Sequence, residues 1–156
     1  MHPVRRGATY VVIAAALIAP LEGMDRVARH QNIDPLGVIT WCYGRTNFDD
    51  PTVKAGTRFN KDQCDEFLQE DIPRYYAPVE KCIHVKLTEH EKAALTSANY
   101  NTGAVCKSPM VAAFNRGEDG CNYFQGWRVH ANGKYLQGLA NRRVLESKVC
   151  HQRDVN

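Results

Sequence analysis

The chain has 156 residues, of which 44% are hydrophobic and 24% charged, with a formal net charge of +3. That is the length of one domain with apolar residues enough for a sizeable core; without a low-complexity tract or an internal repeat, it is neither a disordered chain nor a solenoid. The mild positive charge favours approach to an anionic surface such as a cell wall, a membrane face or nucleic acid and selects none of them, while scattered basic residues and the lack of helix-turn-helix or zinc-finger spacing argue against nucleic acid as a partner.

Arg5 and Arg6 precede an uncharged run from Ala8 to Leu21. A basic start followed by an apolar stretch has the form of an export signal, yet the run falls short of the roughly 20 residues that cross a bilayer. Cleavage after Ala19 would remove the helix that presents Glu22. Two readings stay open. Residues 8–21 are the first helix of the domain, or a marginal, uncleaved export segment that enters the membrane, leaves it and packs onto the domain.

Gly23 is a stop signal for the first helix, and Met24 to His30 keeps some helical character. Asp34-Pro35-Leu36-Gly37 reads as a turn with Pro at its second position. Val38 to Tyr43 is β-branched and aromatic, hence a strand. Gly44 to Phe59 is rich in Asn, Asp, Pro and Gly and reads as loop with one more short strand. Asn60 with Gln63 makes a capping box that opens a helix through Glu70, which Pro73 ends or kinks. Thr88 with Glu91 opens the next helix, stopped by Gly103. Ser108-Pro109 starts a short one that ends at Gly117. Asp119 to Trp127 reads as another helix, Gly133 as a break, and Gly138 to Cys150 as a last helix anchored by Leu139, Val144, Leu145 and Val149. The sum is α+β, with a small β-rich lobe set into a mainly helical body. A single domain spans residues 1–156.

Six cysteines lie far apart, with no CxxC pair and no Cys/His cluster at metal-ligand spacing, which argues against zinc. Bridges in an oxidising compartment and buried thiols both fit. The chemistry concentrates between Leu21 and Thr46. Glu22 ends an apolar helix, Asp34 sits in a polar turn, and the Thr40 hydroxyl follows on a strand. Two carboxylates on separate elements suit glycoside hydrolysis, where one acid protonates the leaving oxygen and the other stays ionised.

Leu21-Glu22-Gly23, then Asp34-Pro35-Leu36-Gly37-Val38-Ile39-Thr40, then Cys42-Tyr43-Gly44-Arg45-Thr46 resembles the catalytic segment of phage-type lysozymes, glycoside hydrolase family 24. Asn99-Tyr100-Asn101-Thr102-Gly103, Cys106-Lys107-Ser108-Pro109 and Gly138-Leu139-Ala140-Asn141-Arg142-Arg143 with Glu146 extend the resemblance over residues 17 to 150. It implies a lysozyme-like fold and an endolysin, including the signal-arrest-release kind, that hydrolyses the β-1,4 bond between N-acetylmuramic acid and N-acetylglucosamine. Carried over, Glu22 matches the general acid, Asp34 the carboxylate that activates water, and Thr40 the hydroxyl that holds it. Arg142 matches an Arg that pairs with the acid. Burial at the helix end favours the protonated Glu22 that an acid needs, and Arg142 opposes it. The family puts eight residues between its two carboxylates; here eleven intervene, and the usual position falls on Gln31. Asn101 could meet an acetamido group or cap a helix. Trp41 and Tyr43 could stack on sugars or fill core, and Arg143 reads as a solvated helix face. The resemblance implies peptidoglycan as substrate, no metal or organic cofactor, a monomer, and action in the periplasm after transient membrane association. Alternatives on the same residues are a lytic transglycosylase and a non-catalytic glycan-binding domain.

Overall fold

The computed structural model describes residues 8–30 and 37–154. The chain opens with α1 (Thr9–Ile18), whose one buried side carries Val11, Ala14, Leu17 and Ile18. A tight turn then delivers Glu22, with the backbone N–H groups of Leu21 and Glu22 both donating to Ile18 O. Three short strands follow: β1 (Asp25–His30), β2 (Ile39–Cys42) and β3 (Arg45–Thr46), antiparallel in that order. Asp25 faces Cys42, Arg29 faces Thr40, and Thr40 faces Thr46.

Strand β1 replaces the helical character expected from Met24 to His30. Its sequence, Asp-Arg-Val-Ala-Arg-His, lacks the apolar alternation that marks a strand. Pairing on both edges makes it one: β2 lies on one side, and on the other Ala28 and Arg26 exchange backbone hydrogen bonds with Gly56, Thr57 and Phe59.

Helix α2 (Lys61–Cys82) opens on the expected box, Asn60 Oδ1 accepting from Gln63 N–H at 2.8 Å while Gln63 Oε1 accepts from Asn60 N–H at 2.9 Å. It continues past Pro73 and Pro78 to Cys82, so Pro73 does not end it. Both prolines sit on the exposed side, where water can satisfy the carbonyls they leave unpaired. The opposite stripe, Cys64, Leu68, Ile72 and Val79, is buried and holds the helix together by packing.

Helix α3 (Glu89–Thr102) carries the Thr88–Glu91 box and ends on Gly103 in the left-handed region at φ 65°. It is the central helix, packed against α1, α2 and the last helix. Ser108 caps α4 (Pro109–Asn115), with Pro at the first position. The expected helix over Asp119 to Trp127 contracts to a 3-10 turn, Gly120–Tyr123. Here a Cβ on residue 120 would lie 2.3 Å from the Phe114 ring and 2.5 Å from Met110 O, so only glycine fits. The break at Gly133 is a hairpin, β4 (His130–Ala131) and β5 (Lys134–Tyr135), turning on Asn132 and Gly133, both at positive φ. Helix α5 (Gln137–His151) closes the chain.

The core has two parts. One lies under α1, the sheet and the first half of α2, with Ile18, Trp41, Leu68 and Ile72 at its centre. The other gathers Val79, Leu95, Met110 and Phe124 between α2, α3, α4 and the 3-10 turn. Three disulfides pair all six cysteines: Cys42–Cys64, Cys82–Cys106 and Cys121–Cys150. Among the described residues, no helix is long and apolar enough to cross a membrane.

Candidate active site

Glu22 sits in the turn between α1 and β1, its side chain one quarter exposed. Arg142 Nη1 donates to Glu22 Oε1 at 2.6 Å. The Arg142 guanidinium is itself buried in α5, and its other nitrogens are engaged. Nη2 donates to Ser97 O at 3.1 Å and lies 3.3 Å from Ser97 Oγ, and Nε donates to Glu146 Oε2 at 3.3 Å. Ser97 Oγ, on α3, donates to the same Glu146 oxygen at 2.7 Å. Glu22 therefore rests on a polar network that joins the turn after α1 to α3 and α5.

That network occupies the face of α5 that was expected to be apolar. The buried side carries Arg142, Arg143, Glu146, Ser147 and Cys150, while Leu145 is 40% exposed. Arg143 is thus a core residue and not a solvated one. Its Nη1 lies 3.0 Å from Glu146 Oε1, an ion-pair contact whose alignment falls short of a hydrogen bond. Its Nη2 donates to Asn101 Oδ1, and its guanidinium lies 5.3 Å from the centroid of the half-buried Trp127 ring. Burial, then the neighbouring Arg142, hold Arg143 below the usual arginine value against the pull of Glu146. Burial pushes Glu146 above the usual carboxylate range, opposed by Arg143, Ser97 and Arg142.

Tyr100, on α3, donates its hydroxyl hydrogen to Tyr43 O. Burial, and then the Tyr75 and Glu22 charges, push this phenol well above the ordinary tyrosine value. Trp41 and Tyr43 are both buried in the core at β2 and its end. Tyr43 spends its hydroxyl on Asp65 Oδ1 at 2.6 Å. Thr40 is half-buried, opposite Arg29 and two residues before Cys42, the partner of Asp25 at the start of β1. Asn101 is half-buried at the end of α3 and held by Arg143. Asp34 lies outside the described residues.

Ser97, Tyr100 and the structural part played by Arg143 are not apparent from sequence. The spacing of Arg142, Arg143 and Glu146 is the signal that could find this cluster, since positions three and four apart share one helix face. It is masked by the rule that charged residues point to water.

The sequence model of the phage lysozyme family matches residues 20–146. A SAR-endolysin of Enterobacteria phage P21 is 30% identical over 151 residues, covering 92% of this chain and 89% of that protein. A SAR-endolysin of Bacteriophage PS119 is 30% identical over 147 residues, covering 90% and 86%. Among solved structures, the endolysin from Escherichia coli O157:H7 phage FAHEc1 has a TM-score of 0.72 at 27% identity, covering 97% of this chain and 96% of that one. The muramidase domain of SpmX from Asticaccaulis excentricus shares the fold, with a TM-score of 0.75 at 23% identity over 98% of this chain and 100% of that one.

Proposed function

Because the chain belongs to the phage lysozyme family, we propose that it cleaves the β-1,4 bond between N-acetylmuramic acid and N-acetylglucosamine, with Glu22 as general acid. It is a lysozyme-type glycosidase and a peptidoglycan-lysing endolysin. The observation that carries the assignment is the Glu22 carboxyl, one quarter open to solvent and gripped through Oε1 by the buried Arg142. Among the described residues Oε2 accepts no hydrogen bond, so it is the oxygen to hand a proton to the departing sugar hydroxyl. As that bond breaks, water attacks the anomeric carbon from the opposite face. Asp34 is assigned to take the water's proton, and the Thr40 hydroxyl to hold the water in line. Arg142 and Asn101 support the site; Trp41 and Tyr43 brace the strand that carries Thr40.

Glu22→Gln keeps the shape and removes the proton. We expect release of reducing ends from purified peptidoglycan to fall by about 10²–10⁴-fold with the melting temperature retained; unchanged turnover would remove Glu22 from this role. Asp34→Ala should also lose most of its rate. Product masses separate the two possible outcomes of cleavage: hydrated ends support hydrolysis, and anhydro ends would make the enzyme a transglycosylase.

Residues 8–21 are the segment by which the protein first meets the membrane before acting in the periplasm as a monomer. The uncharged run and the SAR-endolysin relatives support this, as do three disulfides, which belong to an oxidising compartment. Docked, α1 caps the core it shares with the sheet, packing against α3 and α2, and Tyr10 N–H donates to Glu89 Oε2 at 2.8 Å. Expression without a holin should give a membrane-bound pool and slow lysis on fractionation. A wholly cytosolic, inert pool would reject the membrane step.

A further inference from the structure

Glu146 is a carboxylate with no solvent exposure, lodged between two guanidiniums and a serine. Burying charge in this way is a poor route to stability, since apolar residues of similar size commonly do as well or better. The arrangement has a different consequence one bond further on, because Arg142 touches Glu146 with Nε and Glu22 with Nη1.

We propose that Glu146 is a positioning residue for the reaction: it fixes the Arg142 guanidinium that holds Glu22, and it cancels one of the two buried positive charges behind the acid. The inference rests on Glu22 being the general acid. Burial pushes the Glu146 carboxyl up, while two guanidiniums and the Ser97 hydroxyl favour its charged form; ionised, it leaves one net positive charge behind Glu22, and its removal leaves two. Ser97 completes the clamp. Its hydroxyl donates to Glu146 Oε2, while its carbonyl receives Arg142 Nη2, so the guanidinium is held on three sides.

Among the described residues, other titratable groups approach from α3 and α2. Tyr100 approaches from α3 with its hydrogen committed to Tyr43 O. Behind it, Tyr75 and Asp71 belong to α2, and Asp71 is paired with Arg45 at 3.1 Å.

The test is the pH dependence of kcat and KM on peptidoglycan fragments. Glu146→Gln keeps the volume and an acceptor for Ser97 but removes the charge. The alkaline limb of the kcat profile, which reports loss of the acid's proton, should move down by roughly one pH unit, a like-sized Coulomb effect for charges sharing one guanidinium. At pH values above that limb kcat should then fall about tenfold with KM nearly unchanged. Arg143→Met, which removes a positive charge, should move the same limb upward, and the double variant should bring it back close to its original position. A merely structural Glu146 would lower the melting temperature and leave the limb in place. If Glu146→Gln does not fold, Arg143→Met carries the test; a stationary limb in a folded variant overturns the proposal. Glu22→Gln run alongside separates the two ideas. Full activity there removes the acid assignment, whereas its loss beside a stationary limb removes only the role of Glu146.

Discussion

Tyr43 spends its hydroxyl on a carboxylate of the neighbouring helix. The donation to Asp65 at 2.6 Å links β2 to the first turns of α2, and Lys61 Nζ binds the other Asp65 oxygen at 2.6 Å. Burial, followed by the Asp65 hydrogen bond and charge, pushes the Tyr43 phenol up to about 12. A phenol raised in the fold above its unfolded value of about 10 contributes stability that is fully present below pH 10. That contribution is lost as the pH climbs from there towards 12, because the folded state then holds the proton more firmly than the unfolded one. Tyr43→Phe should therefore cost about 1–2 kcal/mol at neutral pH and flatten the alkaline fall in stability by one proton's worth of slope. Urea midpoints measured from pH 8 to 12 would check this; an unaltered slope would separate Tyr43 from that fall. The neighbouring Thr40 and Trp41 are steadied by the same brace, a part-buried hydrogen bond between the end of β2 and α2.

At the scale of elements, what could be read in advance follows from how local each signal is. The boxes at Asn60–Gln63 and Thr88–Glu91, the Ser108-Pro109 start and the Gly103 stop are short-range hydrogen-bond chemistry, and each forms as expected. Strand β1 could not be read because its pairing partners lie far along the chain. Helix α2 outlasts its prolines because burial on one side, which no local rule reports, outweighs two missing hydrogen bonds. On α5 the apolar count misleads, since its buried face is ionic. The α1 contact is also long-range: Tyr10 N–H, an orphan donor at the helix start, is satisfied by Glu89 from the first turn of α3. Lys92 Nζ pairs with the other Glu89 oxygen at 3.1 Å and lies 5.8 Å from the centroid of the Tyr10 ring, which is tilted against Tyr76. Glu89→Ala leaves that donor unpaired, with an expected cost of about 1–2 kcal/mol and faster proteolytic cutting in the turn between α1 and β1. Cleavage at the wild-type rate would mean that apolar packing alone holds α1 down.

Across the whole molecule, the three disulfides divide by exposure and by what they fasten. Cys42–Cys64 ties β2 to the start of α2, and Cys121–Cys150 ties the 3-10 turn to the end of α5; all four of these cysteines are buried. Cys82–Cys106 joins the end of α2 to the segment after α3, and Cys106 is exposed. With sequence separations of 22, 24 and 29 residues, loop entropy predicts a similar stabilisation for each, roughly 3 kcal/mol, so stability alone does not rank them. Access does, because exchange needs a thiolate to reach a sulfur. Mild reductant on the folded protein should open Cys82–Cys106 first, while the two buried bridges survive until global unfolding. The functional consequence follows from the elements involved. The surviving bridges anchor the strand of Thr40 and the helix of Arg142, so the singly opened protein should keep most of its lytic activity. Full reduction should abolish activity together with the fold. Alkylation of the freed thiols followed by peptide mass mapping, with turnover measured on the same samples, would decide it. Labelling of Cys42 or Cys150 before Cys106 would show that one of the buried bridges is exposed by a local opening that the packing of β2 or α5 does not prevent.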